Sequence, residues 1–217
     1  MTDFAKRRTV MVDTQVRPND VTRFPIIEAF LAVPREVFVP DAAREAAYAE
    51  EAIALAPGRV LLEARTIAKM LEAADIGPGD VVLDVATGSG YVAALAGRMA
   101  DAVIALEENE ALARDAEAAL AEAGADNVVV IEGPHAEGAA KHGPYDVILI
   151  EGAVETVPDA LSAQLRDGGR IVAIFADGHL GTVRAGLFVD GRVSWRFAFN
   201  AGAPGLPGFE KAESFAL

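Results

Sequence analysis

A short apolar run, a glycine-rich turn and an alanine-rich segment follow one another in the middle of the chain, and this order constrains the fold most. Val81–Val85 is mostly β-branched, Gly88 and Gly90 form the turn, and residues 91–99 have a helical composition. In open α/β sheets such a strand, turn and helix border the ligand-binding edge. The unit predicts a Rossmann-like parallel sheet with a ligand at the carboxyl end of its first strand.

Further strands alternate with helices after this unit. This alternation predicts right-handed crossovers and a mostly parallel sheet of seven strands. Asp190-Gly191 lies between two strand-like segments and predicts a C-terminal antiparallel hairpin. We expect strands at residues 102–106, 127–131, 145–150 and 170–175, and helices at residues 110–123 and 158–165.

The chain of 217 residues has no visible repeat or linker, so we expect one structural unit. Within it, residues 1–75 are predicted to be an N-terminal helical extension that caps the substrate side, with residues 22–70 mostly helical. Residues 76–217 are predicted to be the ligand-binding domain. No apolar run is long enough to span a bilayer, which favours a cytoplasmic protein without a membrane partner.

Composition excludes several kinds of chemistry. The chain has no cysteine and three histidines, so we expect no disulfide, no thiolate nucleophile and no metal site. Its net charge of −14 would repel a nucleic-acid backbone, and we expect no nucleic-acid partner. The sequence predicts no oligomeric state.

The acidic residues around the turn distinguish between possible ligands. Asp84 would repel a pyrophosphate but would suit the ammonium and sulfonium charges of S-adenosylmethionine. Glu107 ends the second strand, roughly twenty residues past the turn, where a carboxylate can accept both ribose hydroxyls. We therefore expect S-adenosylmethionine, with an NAD-type site and a domain without a small ligand as alternatives. The candidate cofactor residues here are Asp84, Ala86, Thr87, Gly88, Ser89, Gly90 and Glu107.

Several segments follow the order and spacing of one enzyme family. Residues 32–40 read A-V-P-R-E-V-F-V-P and are followed by Ala47-Tyr48, and residues 87–91 read T-G-S-G-Y. With residues 127–128, 144–146 and 164–170, they resemble the protein-L-isoaspartate O-methyltransferase family from about Met11 to Phe199. The resemblance implies a class I methyltransferase that uses S-adenosylmethionine to methylate the free carboxylate of isoaspartyl residues in damaged proteins, a repair reaction.

The resemblance is weakest on the substrate side. The family's G-x-Q-T-I-S loop corresponds here to residues 58–62, G-R-V-L-L, which lack a hydroxyl group. Arg59 could bind a carboxylate, whereas Val60 and Leu62 stand where the family has hydroxyl groups. Glu151 replaces a small hydroxyl residue after the fourth strand; it would tend to repel an acidic substrate, could orient an amine or hydroxyl nucleophile, or could act as a base.

A further departure falls on the cofactor side. Gly133-Pro134-His135 stands where the family has G-D-G, so the acid that accepts the adenine amino group is missing. A backbone carbonyl or His135 could take its place. The leading hypothesis is an isoaspartate-type methyltransferase of protein or peptide substrates. The alternative is a non-catalytic or substrate-diverged module that binds S-adenosylmethionine but has lost isoaspartyl activity.

Overall fold

The N-terminal third of the protein packs helices and one hairpin against the central sheet. The computed structural model describes residues 3–177 and 180–211. Its first elements are helices α1 (Phe4–Met11) and α2 (Phe24–Ala32), strands β1 (Ile53–Ala56) and β2 (Arg59–Leu61), and helix α3 (Ala64–Ala74). Shorter helical turns link them at Val12–Val16, Arg17–Asn19, Arg35–Val37 and Asp41–Ala46.

The β1–β2 hairpin corrects the prediction that residues 22–70 are mostly helical. Ile53 and Leu61 pair across the two strands and are both buried. Gly58 has a φ of +71°, which closes the turn between the strands in a conformation that favours glycine. Tertiary burial of two short apolar runs decides the conformation here, and the turn places Arg59 at the start of β2.

A sheet of seven strands, counted over the described residues, forms the centre of the molecule. Its order is β5-β4-β3-β6-β7-β8-β9, with the first five strands parallel and the last two antiparallel. The predicted fold class is confirmed. The strands are β3 (Val81–Val85), β4 (Ala102–Glu107), β5 (Val128–Glu132), β6 (Tyr145–Val154), β7 (Leu165–Asp177), β8 (Leu180–Val189) and β9 (Arg192–Asn200).

The helices that follow the strands are α4 (Tyr91–Gly97), α5 (Glu110–Ala123) and α6 (Asp159–Ser162). Residues 110–123 match their prediction, but α6 is shorter than the predicted helix at residues 158–165. Strand β6 in turn extends four residues beyond its predicted end at residue 150. The chain after β9 explains this extension, because the backbone of Ala153 hydrogen-bonds with Pro204 and Leu206.

One hydrophobic core joins the N-terminal third to the sheet. Phe30 and Ile67 belong to the same buried cluster as Val82 and Leu149. A second cluster, which includes Leu83, covers the opposite face of the sheet. The predicted boundary between residues 1–75 and 76–217 therefore runs through a shared core. The division of the chain into these two parts stays a prediction.

Candidate functional site

The loop between β3 and α4 has an unusual backbone. Ala86, Gly88 and Gly90 all have positive φ angles, of 62°, 60° and 87°. A Cβ added at Gly88 would lie 2.9 Å from the side chain of Leu55, and one at Gly90 would lie 3.2 Å from that of Leu120. Glycine thus allows β1 and α5 to approach the loop closely.

Two carboxyl groups are buried beneath this loop. Asp84 in β3 accepts a hydrogen bond of 2.7 Å from the Thr87 hydroxyl, and Glu151 lies within hydrogen-bonding reach of Asp84. Each carboxyl has one oxygen without a hydrogen-bond partner among the described residues. Burial raises the pKa of Asp84 to about 6, and burial and the Asp84 charge raise that of Glu151 well above its usual range. Both shifts favour the protonated form of the pair, and two carboxyl groups this close can share one proton.

Glu107, at the end of β4, is fully buried and has four close hydrogen-bond donors. Arg59 donates to both carboxylate oxygens, at 2.7 and 2.9 Å, and the backbone N–H groups of Gly88 and Asn109 donate at 2.9 and 3.0 Å. Burial alone would raise the pKa of Glu107, but the neighbouring His135 ring and the hydrogen bonds and charge of Arg59 outweigh burial and lower this pKa to about 2. The side chain is therefore a carboxylate at neutral pH.

Arg59 connects the predicted substrate loop to the predicted cofactor loop. Besides its two contacts with Glu107, its Nη2 donates to the carbonyl of Ala86 at 2.7 Å. The Arg59 side chain is 11% exposed. In this structure the arginine thus pairs with the carboxylate that we expect to bind a ribose.

The turn after β5 lies against the same carboxylate. Gly133 N–H donates to the Glu107 carbonyl at 3.1 Å. His135 is 1% exposed, and its Nε2 lies 3.1 Å from the backbone N of Glu108 and 3.4 Å from Oε1 of Glu107. Nε2 thus accepts the Glu108 N–H and faces the Glu107 carboxylate. Pro134, between them, is exposed.

The other substrate-side candidates do not form an open surface. Leu62 is a core residue at 2% exposure, and Val60 is partly buried against the same core. The Leu62 carbonyl accepts a hydrogen bond of 2.8 Å from the fully buried Arg35, which also donates to the Ala47 carbonyl at 2.8 Å. Arg35 therefore anchors the end of the hairpin, while the Leu62 side chain packs in the hydrophobic core.

Sequence reasoning missed three residues that shape the site. Asn109 caps α5 with its side chain and orients Glu107 with its backbone N–H. Leu55 covers Gly88, and Arg35 holds the hairpin. Two of these residues had a local signal in the sequence. Asn109 is an asparagine before a helical segment, and Leu55 precedes a Pro-Gly turn between two apolar runs. The role of Arg35 has no comparable local signal.

Polar atoms that lack partners surround the glycine loop and fit a nucleoside with a cationic end. Asp84 Oδ1, Ser89 Oγ and His135 Nδ1 have no hydrogen-bond partner in the part of the chain that the structure describes. A cavity of about 420 Å³ lies beside Ser89 and is lined by Leu55, by α5 and by the turn at residues 37–40, but Asp84 and Glu107 are not among its lining residues. The donor and acceptor set suits S-adenosylmethionine once Arg59 moves from Glu107.

Two features are not found in residues 3–177 and 180–211. No group of three or more acidic or histidine side chains there could hold a metal ion. In the same ranges, no helix is long and apolar enough to cross a lipid bilayer.

The sequence of the chain is similar to those of one enzyme family. The family model described as protein-L-isoaspartate(D-aspartate) O-methyltransferase matches residues 7–180. A protein-L-isoaspartate O-methyltransferase of Koribacter versatilis is 41% identical over 172 residues, which cover 79% of this chain and 78% of the relative. One of Methylorubrum extorquens is 40% identical over 170 residues, 78% of this chain and 74% of the relative.

Solved structures share the fold at lower identity. A protein-L-isoaspartate O-methyltransferase superposes with a TM-score of 0.80 at 21% identity, over 94% of this chain and 65% of that chain. A Plasmodium falciparum protein of the same description, in complex with S-adenosyl-L-homocysteine, superposes with a TM-score of 0.79 at 15% identity, over 95% of this chain and 99% of that chain. At these identities the similarity establishes the fold.

Proposed function

Because the chain belongs to the protein-L-isoaspartate(D-aspartate) O-methyltransferase family, we propose that it methylates isoaspartyl carboxylates at the cleft around its glycine loop. It is an S-adenosylmethionine-dependent methyltransferase, as its relatives are. The main observation behind this placement of the active site is the hydrogen bond from the backbone N–H of Gly88 to Glu107. It brings the acid that is expected to bind the ribose into contact with the glycine loop.

The cofactor end of the cleft combines a carboxylate with a glycine loop whose backbone a ligand could approach closely. Glu107 would hold the ribose hydroxyls, and the backbone at Gly88 and Gly90 admits the ligand without a side-chain clash. Asp84, with its unpartnered oxygen, suits the ammonium group of the cofactor. The turn at residues 133–135 would border the adenine. When bound, S-adenosylmethionine supplies an electrophilic methyl group.

The substrate end has to align a nucleophile that is already ionised. A carboxylate needs no general base at neutral pH, so catalysis depends on alignment and on exclusion of water. Arg59 supplies a cation for that carboxylate. Glu151 was expected to repel an acidic substrate, but burial and the Asp84 charge raise its pKa and favour a protonated carboxyl, which can donate a hydrogen bond. Both residues are thus compatible with an acidic methyl acceptor despite the missing hydroxyl groups.

The expected partner is a protein or peptide that carries an isoaspartyl residue. The net charge of −14 argues against nucleic-acid substrates and anionic membranes. We place the activity in the cytoplasm, where repair of aged proteins would require it. The relatives compared above are described as methyltransferases, and they give the non-catalytic alternative no support.

Transfer of a labelled methyl group to an isoaspartyl peptide tests this function. We expect transfer that a matched aspartyl peptide does not receive and that Glu107→Gln lowers at least tenfold. The double variant Val60→Thr with Leu62→Ser restores the family hydroxyl groups and serves as a comparison. Transfer only by this double variant would contradict the proposal and favour the substrate-diverged or non-catalytic alternative.

A further inference from the structure

The guanidinium of Arg59 occupies the positions on Glu107 that a ribose needs. A carboxylate offers about four acceptor positions. The backbone N–H groups of Gly88 and Asn109 take two of them, and Arg59 takes two more at 2.7 and 2.9 Å. The backbone donors are fixed by the loop and by the start of α5. Of these described donors, Arg59 is therefore the one that a side-chain movement can remove.

The same guanidinium also acts on the buried carboxyl pair. Burial raises the pKa of both Asp84 and Glu151, and the positive charge of Arg59 counteracts this rise in each. Arg59 thus contacts Glu107 directly and is close enough to Asp84 and Glu151 for its charge to act on both. An acidic substrate would enter a site that contains three carboxyl groups, and the charge of Arg59 offsets their repulsion.

Resting on the proposed function, we propose that Arg59 exchanges one carboxylate partner for another during the binding cycle. It pairs with Glu107 in the free enzyme, the ribose of the cofactor displaces it, and it then binds the carboxylate of the isoaspartyl acceptor. Its position at the start of β2, directly after the turn at Gly58, makes this a local movement. A bidentate guanidinium suits both partners, because it matches the geometry of any carboxylate.

This exchange couples the two ligands. Without cofactor, the acceptor has to compete with Glu107 for Arg59; with cofactor bound, the guanidinium has lost its internal partner. The acceptor therefore binds more tightly to the cofactor complex, and by linkage the cofactor binds more tightly in the presence of acceptor by the same factor. Without Arg59, the cofactor no longer has to break an ion pair, and the coupling disappears.

Calorimetric titration with S-adenosylhomocysteine and with an isoaspartyl hexapeptide tests the exchange. In the wild type, saturating S-adenosylhomocysteine should tighten peptide binding about tenfold or more, the range of one charge-assisted interaction. Arg59→Gln should bind S-adenosylhomocysteine about tenfold more tightly than the wild type and should show no coupling. Arg59→Lys keeps the positive charge but loses the bidentate guanidinium geometry, so it should show partial coupling. It replaces the glutamine variant if that variant does not fold.

Arg65→Gln is the matched control, because Arg65 is more exposed and contacts only Glu63, at 3.6 Å, among its described ion-pair partners. It should leave both affinities and the coupling unchanged. Equal peptide affinity with and without S-adenosylhomocysteine in the wild type would overturn the exchange while leaving the proposed function intact. So would unchanged or weaker S-adenosylhomocysteine binding by Arg59→Gln. Failure of the wild type and all variants to bind S-adenosylhomocysteine would instead refute the proposed function itself.

Discussion

Replacing Glu107 by glutamine should destabilise the free protein in a manner that depends on pH. The substitution keeps the size of the side chain but removes the charge that Arg59 neutralises. The pKa of Glu107 falls from its usual 4.5 to about 2 on folding, which corresponds to about 3 kcal/mol of stability at neutral pH. The glutamine variant should lose stability of this order.

The sign of the pH dependence follows from the lowered pKa. Stabilisation by Glu107 is complete above the unfolded-state value near 4.5 and is lost as the pH falls towards about 2. Urea denaturation should therefore show that the free energy of unfolding of the wild type exceeds that of the variant by about 3 kcal/mol at pH 7. At pH 3.5 this difference should be smaller by about 1 kcal/mol.

Glu110→Gln provides the control for this measurement. Glu110 forms an exposed ion pair with Arg114 four residues along α5, with 70% of its side chain accessible. Its loss should cost less than about 0.5 kcal/mol at any pH. A Glu107→Gln difference that is as small as the control, or that stays constant from pH 7 to pH 3.5, would refute the assignment of a buried, strongly ionised Glu107.

Three further substitutions test the buried carboxyl pair, the glycine loop and the neighbouring core. Folding raises the pKa of Asp84 to about 6 and also raises the pKa of Glu151, so the wild-type free energy of unfolding should decrease as the pH rises from 5 through 6 and above. Urea denaturation of Glu151→Gln should show a smaller decrease over the same pH range. Gly90→Ala should lower the unfolding free energy by about 1–2 kcal/mol, because φ is +87° there; an unchanged denaturation midpoint would contradict this. Tyr145→Phe removes a 2.6 Å hydrogen bond to the Ala139 carbonyl and should cost about 1 kcal/mol in thermal or urea unfolding, without affecting S-adenosylhomocysteine affinity.

The alternation of strands and helices and the antiparallel hairpin at the end could be predicted because most strands are short apolar runs separated by clear turns. The helix at residues 110–123 was predicted to the residue, since the left-handed Gly124 ends it. The β1–β2 hairpin was not predicted, because strands of four and three residues give too little alternation to distinguish them from helix. Glu151 was predicted to follow the end of a strand, but the strand continues to Val154 and includes Glu151.

The candidate site was predictable where its residues are adjacent in sequence and unpredictable where they meet across the fold. The loop at residues 84–90 and the acid at the end of β4 follow from local pattern and spacing. The ion pair between Arg59 and Glu107 joins residues 48 positions apart, and it depends on a hairpin that the sequence did not reveal. The burial that raises the pKa of Glu151 likewise comes from tertiary packing, which no local pattern encodes.

The central claim is that the cleft around the glycine loop binds the cofactor through Glu107. Calorimetric titration of the purified protein with S-adenosylhomocysteine, repeated with Glu107→Gln, tests it most directly. We expect one molecule to bind per chain, with the affinity of the variant lowered at least about tenfold by the loss of two charge-assisted hydrogen bonds to the ribose. Absence of binding by the wild type, or equal affinity in the variant, would contradict the claim.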